Sequence, residues 1–465
     1  VFALRARPRL VILTATLIAY STSLGGPFQF DDTGVIVDSA AVHALGTFWS
    51  QLGVGLRPVL KLSYALNWAL SPHPFGFHVV NLGVHLVNVE LVLRLYTAGS
   101  SRAARWPFAG CPRGAPLAAF LFALHPIQTE AVTYVSGRSV SLETLFVLLA
   151  TLLYVEGVRG ERPSFWAGLA PLAFAAALLT KETAATLPLA LLAWELIFER
   201  PRVRALCVRQ GVWWSFLGFA FVWAVTKTRY FELLYDALGR RSFAAAVAFE
   251  VQGLSYVLTR LVLIFRLCID PGLGQRAPAG FFVACAGGAI LGCLLLMLSQ
   301  VRARPLVAFG AAWFGIELVL PNLCLPRTDV MNERHLYLAN VGVFLAGGAL
   351  WAELGSKLPG RIQKLGVATV TLTLTVLGIA TFLRNLDYES EVRLWESTTL
   401  RAPRNPRAQN NLGVAYEKAG RPRDALTAYA HALELEPRYL QARQNLLRAE
   451  RKLRSARASG AAPAH

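Results

Sequence analysis

Two adjacent carboxylates, Asp31 and Asp32 in FQFDDTGVIVD, carry the most direct chemical signal in the chain. The charge of one acid, together with partial burial, raises the pKa of the other toward the range of a general base that can activate a hydroxyl. The same Asp, Thr and Gly residues also make an ordinary solvated turn. Lys181 and Glu182, in LLTKETAATLP, occupy a very short turn between two apolar runs. An ionisable pair at that depth is costly and marks either an anchor for an anionic group or a lysine that snorkels beside its acidic neighbour.

Two more polar clusters interrupt apolar sequence. His125, Glu130 and Arg138 lie in LFALHPIQTEAVTYVSGRS, where Pro126 and Gly137 break the pattern. His125 and Glu130 are five residues apart, which is not the spacing of a helical zinc site. Structural bonding of a tight loop and substrate contact both suit this cluster. Glu333, Arg334, His335 and Tyr337 stand in NERHLYLAN. An arginine at a membrane mouth suits a phosphate, because its planar fork makes two parallel charge-assisted bonds, and Arg with Tyr is also a common interfacial anchor. His85 and Asn88 sit one helical turn apart inside an apolar run and read as bonds between helices.

The elements that must position these groups are read from composition. The chain has 465 residues, 55% hydrophobic and 16% charged, with a mean hydropathy of +0.45, too apolar for a soluble protein of this size. A net charge of +18 raises the question of nucleic acid. The basic residues fall in short gaps between apolar runs rather than on one soluble face, which excludes that partner and matches the positive-inside pattern. The six cysteines lie singly, without CxxC or metal-ligand spacing, and read as small apolar fillers.

A spanning helix needs about 20 mostly apolar residues. Eleven runs qualify, near 8–24, 77–97, 115–124 with its flanks, 139–157, 164–180, 184–198, 211–227, 280–299, 305–323, 336–354 and 365–383. The first could be a signal peptide, but it lacks a small-x-small cleavage site and reads as a retained span. Arg5, Arg7 and Arg9, then Arg102, Arg105 and Arg113, Arg159 and Arg162, Arg200 to Arg209, Arg302 and Arg304, and Lys357 to Lys364 mark the cytoplasmic ends. The opposite gaps, 25–76, 125–138, Lys181 to Thr183, 228–279 and 324–335, are then extracytoplasmic and hold every polar cluster named above. Residues 251–269 carry Arg260 and Arg266 and read as a helix on the outer membrane surface. The expected fold is all-α: a bundle of about 11 spans over residues 1–384, a helical repeat segment over 385–454 and a disordered tail over 455–465. Residues 406–439 match one 34-residue tetratricopeptide unit, with Leu412, Gly413, Tyr416, Gly420, Ala425, Tyr429, Ala432 and Pro437 at its small, aromatic and proline positions. Helices are expected before it, at 387–402, and after it, at 440–454.

FDD, RPVLKLSYALNW, PFGFHVVNLGVHLVN, LFALHPIQTEAVTYVSGR, LLTKET and ERHLYL, in this order and ahead of a tetratricopeptide unit, together resemble the transmembrane and tetratricopeptide-repeat O-mannosyltransferase family of GT-C glycosyltransferases. The resemblance covers nearly the whole chain. It implies transfer of a sugar from a polyprenyl-phosphate lipid to a hydroxyl outside the cytoplasm, with dolichyl phosphate mannose as donor and a protein Ser or Thr as acceptor in eukaryotic relatives. It maps the family's paired acids onto Asp31 and Asp32, its lysine-glutamate pair onto Lys181 and Glu182, and its glutamate-arginine motif onto Glu333 and Arg334, with Arg57 and Arg138 as further carry-overs. On this reading Asp31 or Asp32 is the base, Lys181, Arg334 and Arg138 offset the leaving phosphate, and Arg57, His125, Glu130, Glu182, Glu333, His335 and Tyr337 support the substrates. No cofactor is required; a divalent metal between the two acids is possible but not expected.

One complete repeat stands where eukaryotic members carry a long array, which leaves an extended acceptor groove in question while the segment remains a surface for an acceptor or a partner protein. The absence of an N-x-Ser/Thr acceptor favours a bacterial inner membrane over the endoplasmic reticulum. The alternatives from other classes are a multi-pass transporter, which internal repeats and broken mid-membrane helices would mark, and a membrane-tethered repeat scaffold.

Overall fold

The computed structural model describes residues 6–51, 56–103, 112–160, 162, 164–226, 232, 235, 239, 242–274, 278–324 and 329–458. The expectations for Arg5, Arg105, Cys111, most of 228–241, residues 325–328 and the end of the tail lie outside them. The described residues form helices and turns with no strand, as apolar runs at this spacing require when every backbone polar group must be satisfied within its own segment.

All eleven apolar runs coincide with helical segments. Seven of these helices are long and apolar enough to cross a membrane: Pro74–Arg102, Val135–Arg159, Val203–Val225, Gly280–Ser299, Pro305–Leu323, Glu333–Lys357 and Gly360–Leu386. The chain is a multi-pass membrane protein. The other four runs fold as Ala6–Ala19, Ala115–Leu124, Ser164–Thr180 and Leu187–Trp194, shorter helices extended or flanked by 3-10 and π turns. Ten residues of helix rise about 15 Å, half of the hydrocarbon thickness. The full count of eleven thus exceeds what helix length alone supports, because proline and tight turns end these runs early. Residues 251–269 do not form one helix. The helix Phe243–Arg260 stops at Leu261, a 3-10 turn follows at Ile264–Arg266, and the helix lies against Gly280–Ser299.

Three helices share a direction. Pro74–Ala103, Arg138–Arg159 and Leu336–Lys357 place their N-terminal ends among the polar clusters and end on Arg102, Arg159 and Lys357. The opposite ends are tied by ion pairs of Arg102 with Glu199 (2.8 Å), Arg209 with Glu195 (3.3 Å) and Arg304 with Glu353 (2.6 Å). Polar clusters and basic clusters therefore occupy opposite ends of the bundle.

Small residues set a very close helix contact. A Cβ on Gly342 would lie 2.3 Å from the Gly310 carbonyl, and one on Gly310 would lie 2.3 Å from the Gly342 carbonyl. The two backbones touch, as small-residue interfaces in membranes allow. The Trp313 indole donates to the Leu338 carbonyl at 2.9 Å across the same seam.

Beyond the last span, Pro406–Lys418 and Pro422–Leu435 form the helix pair of the repeat, flanked by Glu391–Arg401 and Leu440–Ala458. The last helix continues to Ala458, past the Ser455 at which a disordered tail is expected. Its amphipathic sequence has a packed face, with Ala442 and Ala449 buried. The buried cluster of Tyr134, Ile269, Tyr388, Leu394, Trp395, Ala408, Leu412 and Ala415 joins the repeat segment to the membrane bundle. Arg407 adds ion pairs to Asp270 (2.6 Å) and Asp329 (2.5 Å).

Gly342→Val is expected to force the two helices apart and to cost roughly 1–3 kcal/mol. The check is a thermal unfolding scan in detergent, where Gly347→Ala, whose new Cβ meets only a leucine methyl at 3.7 Å, should leave the midpoint unchanged.

Candidate functional site

Five chain segments leave helical geometry at one level of the bundle, and their side chains enclose a cavity of about 570 Å³. Its walls include Asp31, Arg57, Lys181, Glu182, Arg334 and His335, joined by Phe30, Tyr64, Ser136 and Ser139. One acid from the first loop, Asp31, and cations from distant segments therefore meet around the same space.

The first loop separates the two aspartates. Phe30 takes a left-handed conformation, φ 49°, before the helical turn that carries them. Asp31 faces the cavity, and its amide donates to the Tyr134 hydroxyl at 2.9 Å. Asp32 turns inward and is 1% exposed. One of its oxygens accepts from the Gln29 amide at 3.0 Å, and the other accepts from the Ser136 amide at 2.8 Å and from the Ser136 hydroxyl. Burial outweighs these bonds and, with the Asp31 charge adding to it, raises the carboxyl from its ordinary 3.8 to about 7. Asp32 is thus a clamp between the first loop and the Ser136 turn. Gly137 makes that turn possible, since a Cβ there would fall 2.4 Å from the Glu130 carbonyl.

The cations of the cavity each have a carboxylate at close range. Arg57, in a left-handed conformation at φ 55° before Pro58, forms a two-pronged pair with Glu182 at 3.0 and 2.6 Å. Such strain costs about 1–3 kcal/mol and persists only where the surroundings impose it. Burial opposes ionisation of Glu182, but the Arg57 charge and its two bonds prevail and hold that carboxyl at about 2. Lys181 sits where the preceding helix ends in extended backbone, its Nζ 3.2 Å from the buried Glu143. Arg334 lies on a 3-10 turn ahead of the helix Leu336–Lys357. Its guanidinium is 3.4 Å from Glu130 and its own amide donates to the other oxygen of Glu130 at 3.0 Å. Burial raises Glu130 to about 7 against the pull of Arg334. His335, whose Nδ1 accepts from the Asn332 amide at 3.3 Å, completes the wall.

Six expected site residues do not line the cavity. Arg138 is wholly buried, donating to Asn81 (2.6 Å), Asn67 (2.8 Å) and the Ser63 and Phe77 carbonyls, with the Tyr64 ring 4.8 Å away. Its donors are spent on tying the helices Pro58–Leu70 and Pro74–Ala103 together, and it is not part of the cavity wall. Glu333 faces away from Arg334, accepting from the Cys268 amide at 2.6 Å and pairing with Arg384 at 3.7 Å. Tyr337 is a buried hub between helices, bonded to His85 (2.6 Å) and Asn88 (3.2 Å), the interhelical role expected of those two residues. His125 braces the Leu261 carbonyl at 3.1 Å, and burial lowers its pKa to about 4, so it stays neutral. Glu130 and Asp32 also lie behind the wall and act through Arg334 and Ser136. Among the described residues no three His, Cys, Asp or Glu side chains group as metal ligands.

Sequence reasoning passed over Ser136, Tyr134 and Glu143. Ser136 and Tyr134 adjoin the noted Arg138 motif, whereas Glu143 looks like one acid in an apolar helix and carries no local signal.

A tetratricopeptide-repeat family model matches residues 406–439. A protein O-mannosyl-transferase of Caenorhabditis elegans is 27% identical, covering 94% of this chain and 64% of its own. The human protein O-mannosyl-transferases TMTC3 and TMTC4 are 24% and 27% identical, covering 95% and 90% of this chain but 53% and 65% of theirs. The family that the motifs resemble is therefore the family of the chain's homologues. The chain spans between half and two thirds of the length of these curated relatives. No solved structure matches it.

The two aspartates should separate by experiment. In Asp32→Asn the amide nitrogen faces either the Gln29 or the Ser136 donors, at a cost of roughly 1–3 kcal/mol, while Asp31→Asn should leave stability unchanged. Asp32 has a folded pKa above its unfolded value, so its contribution to stability is complete below about pH 4 and is lost as pH rises through 7. The unfolding gap between wild type and Asp32→Asn should accordingly narrow from pH 5 to pH 8. A constant gap would contradict the buried clamp.

Proposed function

We propose that the chain is a membrane glycosyltransferase that moves a mannose-like sugar from a polyprenyl-phosphate lipid to a protein Ser or Thr hydroxyl. The observation that carries this reading is the convergence of one open carboxylate, Asp31, with Arg57, Lys181 and Arg334 around a single cavity. The relatives' name, protein O-mannosyl-transferase, supports it.

Asp31 accepts the proton of the acceptor hydroxyl as its oxygen attacks the anomeric carbon. The bond from that carbon to the phosphate oxygen breaks, and its electron pair leaves with the polyprenyl phosphate. A phosphate monoester is a weak base, so departure needs cations rather than a general acid. Lys181 and Arg334 supply them from largely buried positions, where each contact counts for more than in water. Arg57 presents the planar fork that fits phosphate oxygens, occupied in this structure by Glu182. Attack opposite the phosphate inverts the anomeric centre. Arg138 has no part in this scheme beyond tying the helices Pro58–Leu70 and Pro74–Ala103 together.

The basic ends of the bundle belong in the cytoplasm by the positive-inside rule, which puts the cavity on the extracytoplasmic side. The repeat segment, paired to Asp270 and Asp329 on the cavity side, lies there too. The acceptor protein then reaches the cavity without crossing the membrane, and the donor lipid enters from the outer leaflet.

Purified protein, incubated with radiolabelled polyprenyl-phosphate mannose and a Ser/Thr-rich peptide, should release labelled peptide. Asp31→Asn should lower kcat by about 10²–10⁴ with little change in donor KM. Lys181→Ala and Arg334→Ala should each lose one charge-assisted contact, raising donor KM or lowering kcat by about tenfold or more. Full transfer by Asp31→Asn would remove the base assignment, and absence of transfer by the wild type would remove the activity.

A further inference from the structure

The repeat segment touches the acid loop itself, and that contact involves an unusual backbone. Phe30, immediately before Asp31, is left-handed, as Arg57 is later in the same loop, a conformation that L side chains other than Asn and Asp rarely take. Its ring lines the cavity and meets Trp395 edge-on, with centroids 5.2 Å apart and planes at 77°. Trp395 belongs to Glu391–Arg401, the first helix after the last span, and is 1% exposed. A second tie runs beside it, since the Gln29 side chain donates to the Tyr388 carbonyl at 2.5 Å. Gly26 is what lets that carbonyl in, as a Cβ there would stand 3.0 Å from it.

The same helix is anchored away from the loop. Asp387 receives Arg384 at 2.7 Å and Arg401 at 2.9 Å, and Arg384 reaches back to Glu333, the neighbour of Arg334. The next helix holds Asp270 and Asp329 through Arg407. Trp395 is therefore a fixed wall against which Phe30 leans. A bulky aromatic in a left-handed turn persists only when such a wall imposes it, because glycine would hold the same turn without strain. What the aromatic adds is a contact that fixes the direction of the next residue.

We propose that Trp395 is a positioning residue: through Phe30 it fixes the carboxylate of Asp31 toward the cavity, so that the repeat segment is part of the catalytic unit rather than an appended binding module. The inference rests on the transfer reaction proposed above for its kinetic consequence, and on geometry alone for its structural one.

Phe30→Gly separates positioning from folding. It relieves the left-handed strain and gives up the ring contact with Trp395, two effects of opposite sign, so its unfolding midpoint should stay near that of the wild type. Two readouts then report the loop. Hydrogen exchange at the Asp31 amide, protected by Tyr134 in the wild type, should accelerate at least tenfold in Phe30→Gly and in Trp395→Leu. In the mannose transfer assay kcat should fall at least tenfold with donor KM unchanged, and Trp395→Phe, which keeps an aromatic edge, should recover most of it. Unchanged exchange in both variants overturns the positioning role whether or not the protein transfers mannose. Accelerated exchange with wild-type kcat overturns its link to catalysis. A wild type with no transfer removes the proposed function and that link together, and leaves the exchange result to decide whether Trp395 holds the loop.

Discussion

A helix leaving the hydrocarbon must find partners for its terminal carbonyl and amide groups, and nearly every polar feature of this protein follows from how the chain meets that need. The helices end at one level, and the residues of the cavity are those at the breaks. Lys181 follows a helix that stops in extended backbone, Arg57 precedes a helix opened by Pro58, and Arg334 stands on a 3-10 turn. Arg138, wholly buried, bonds the Ser63 carbonyl and Asn67 side chain of the helix Pro58–Leu70 and the Phe77 carbonyl and Asn81 side chain of the helix Pro74–Ala103, and so ties these two helices together near the cavity.

The charges of the cavity are arranged in depth. Each cation at the surface of the cavity has a carboxylate beside or behind it: Glu182 for Arg57, Glu143 for Lys181 and Glu130 for Arg334. A lone buried cation would be costly, whereas a paired one is held in a defined direction. The pairs differ in exposure. Glu182 shares the open cavity with Arg57, so an incoming phosphate can compete for that fork. Glu143 and Glu130 are buried and hold their partners from behind.

The repeat segment shares a buried cluster with the bundle and continues the wall of the first loop. A single repeat has little concave surface of its own. Here its two neighbouring helices and the bundle supply the packing that further repeats would otherwise give, which accounts for a well-packed unit at 406–439 with only one complete motif.

Much of this was legible in the residues taken in order. The eleven apolar runs, the punctuation of the repeat and the alternation of basic and polar gaps depend on local composition, and each reappears as a helix, a repeat or an end of the bundle. The polar clusters were also legible, because an ionisable group beside an apolar run is costly enough to stand out wherever it occurs. Direction was not. Asp31 and Asp32 are adjacent and chemically identical, and only Ser136, Gln29, Tyr134 and Trp395, most of them over one hundred residues away, turn one acid inward and leave the other in the cavity. Arg138 and Arg334 looked alike as arginines at a membrane mouth, yet packing buried the first and opened the second. Which runs are helical and where the charges fall between them are properties of neighbouring residues, so the sequence determined them by itself. Which face of a turn looks into a shared cavity depends on contacts between distant segments, and that only the tertiary structure decided.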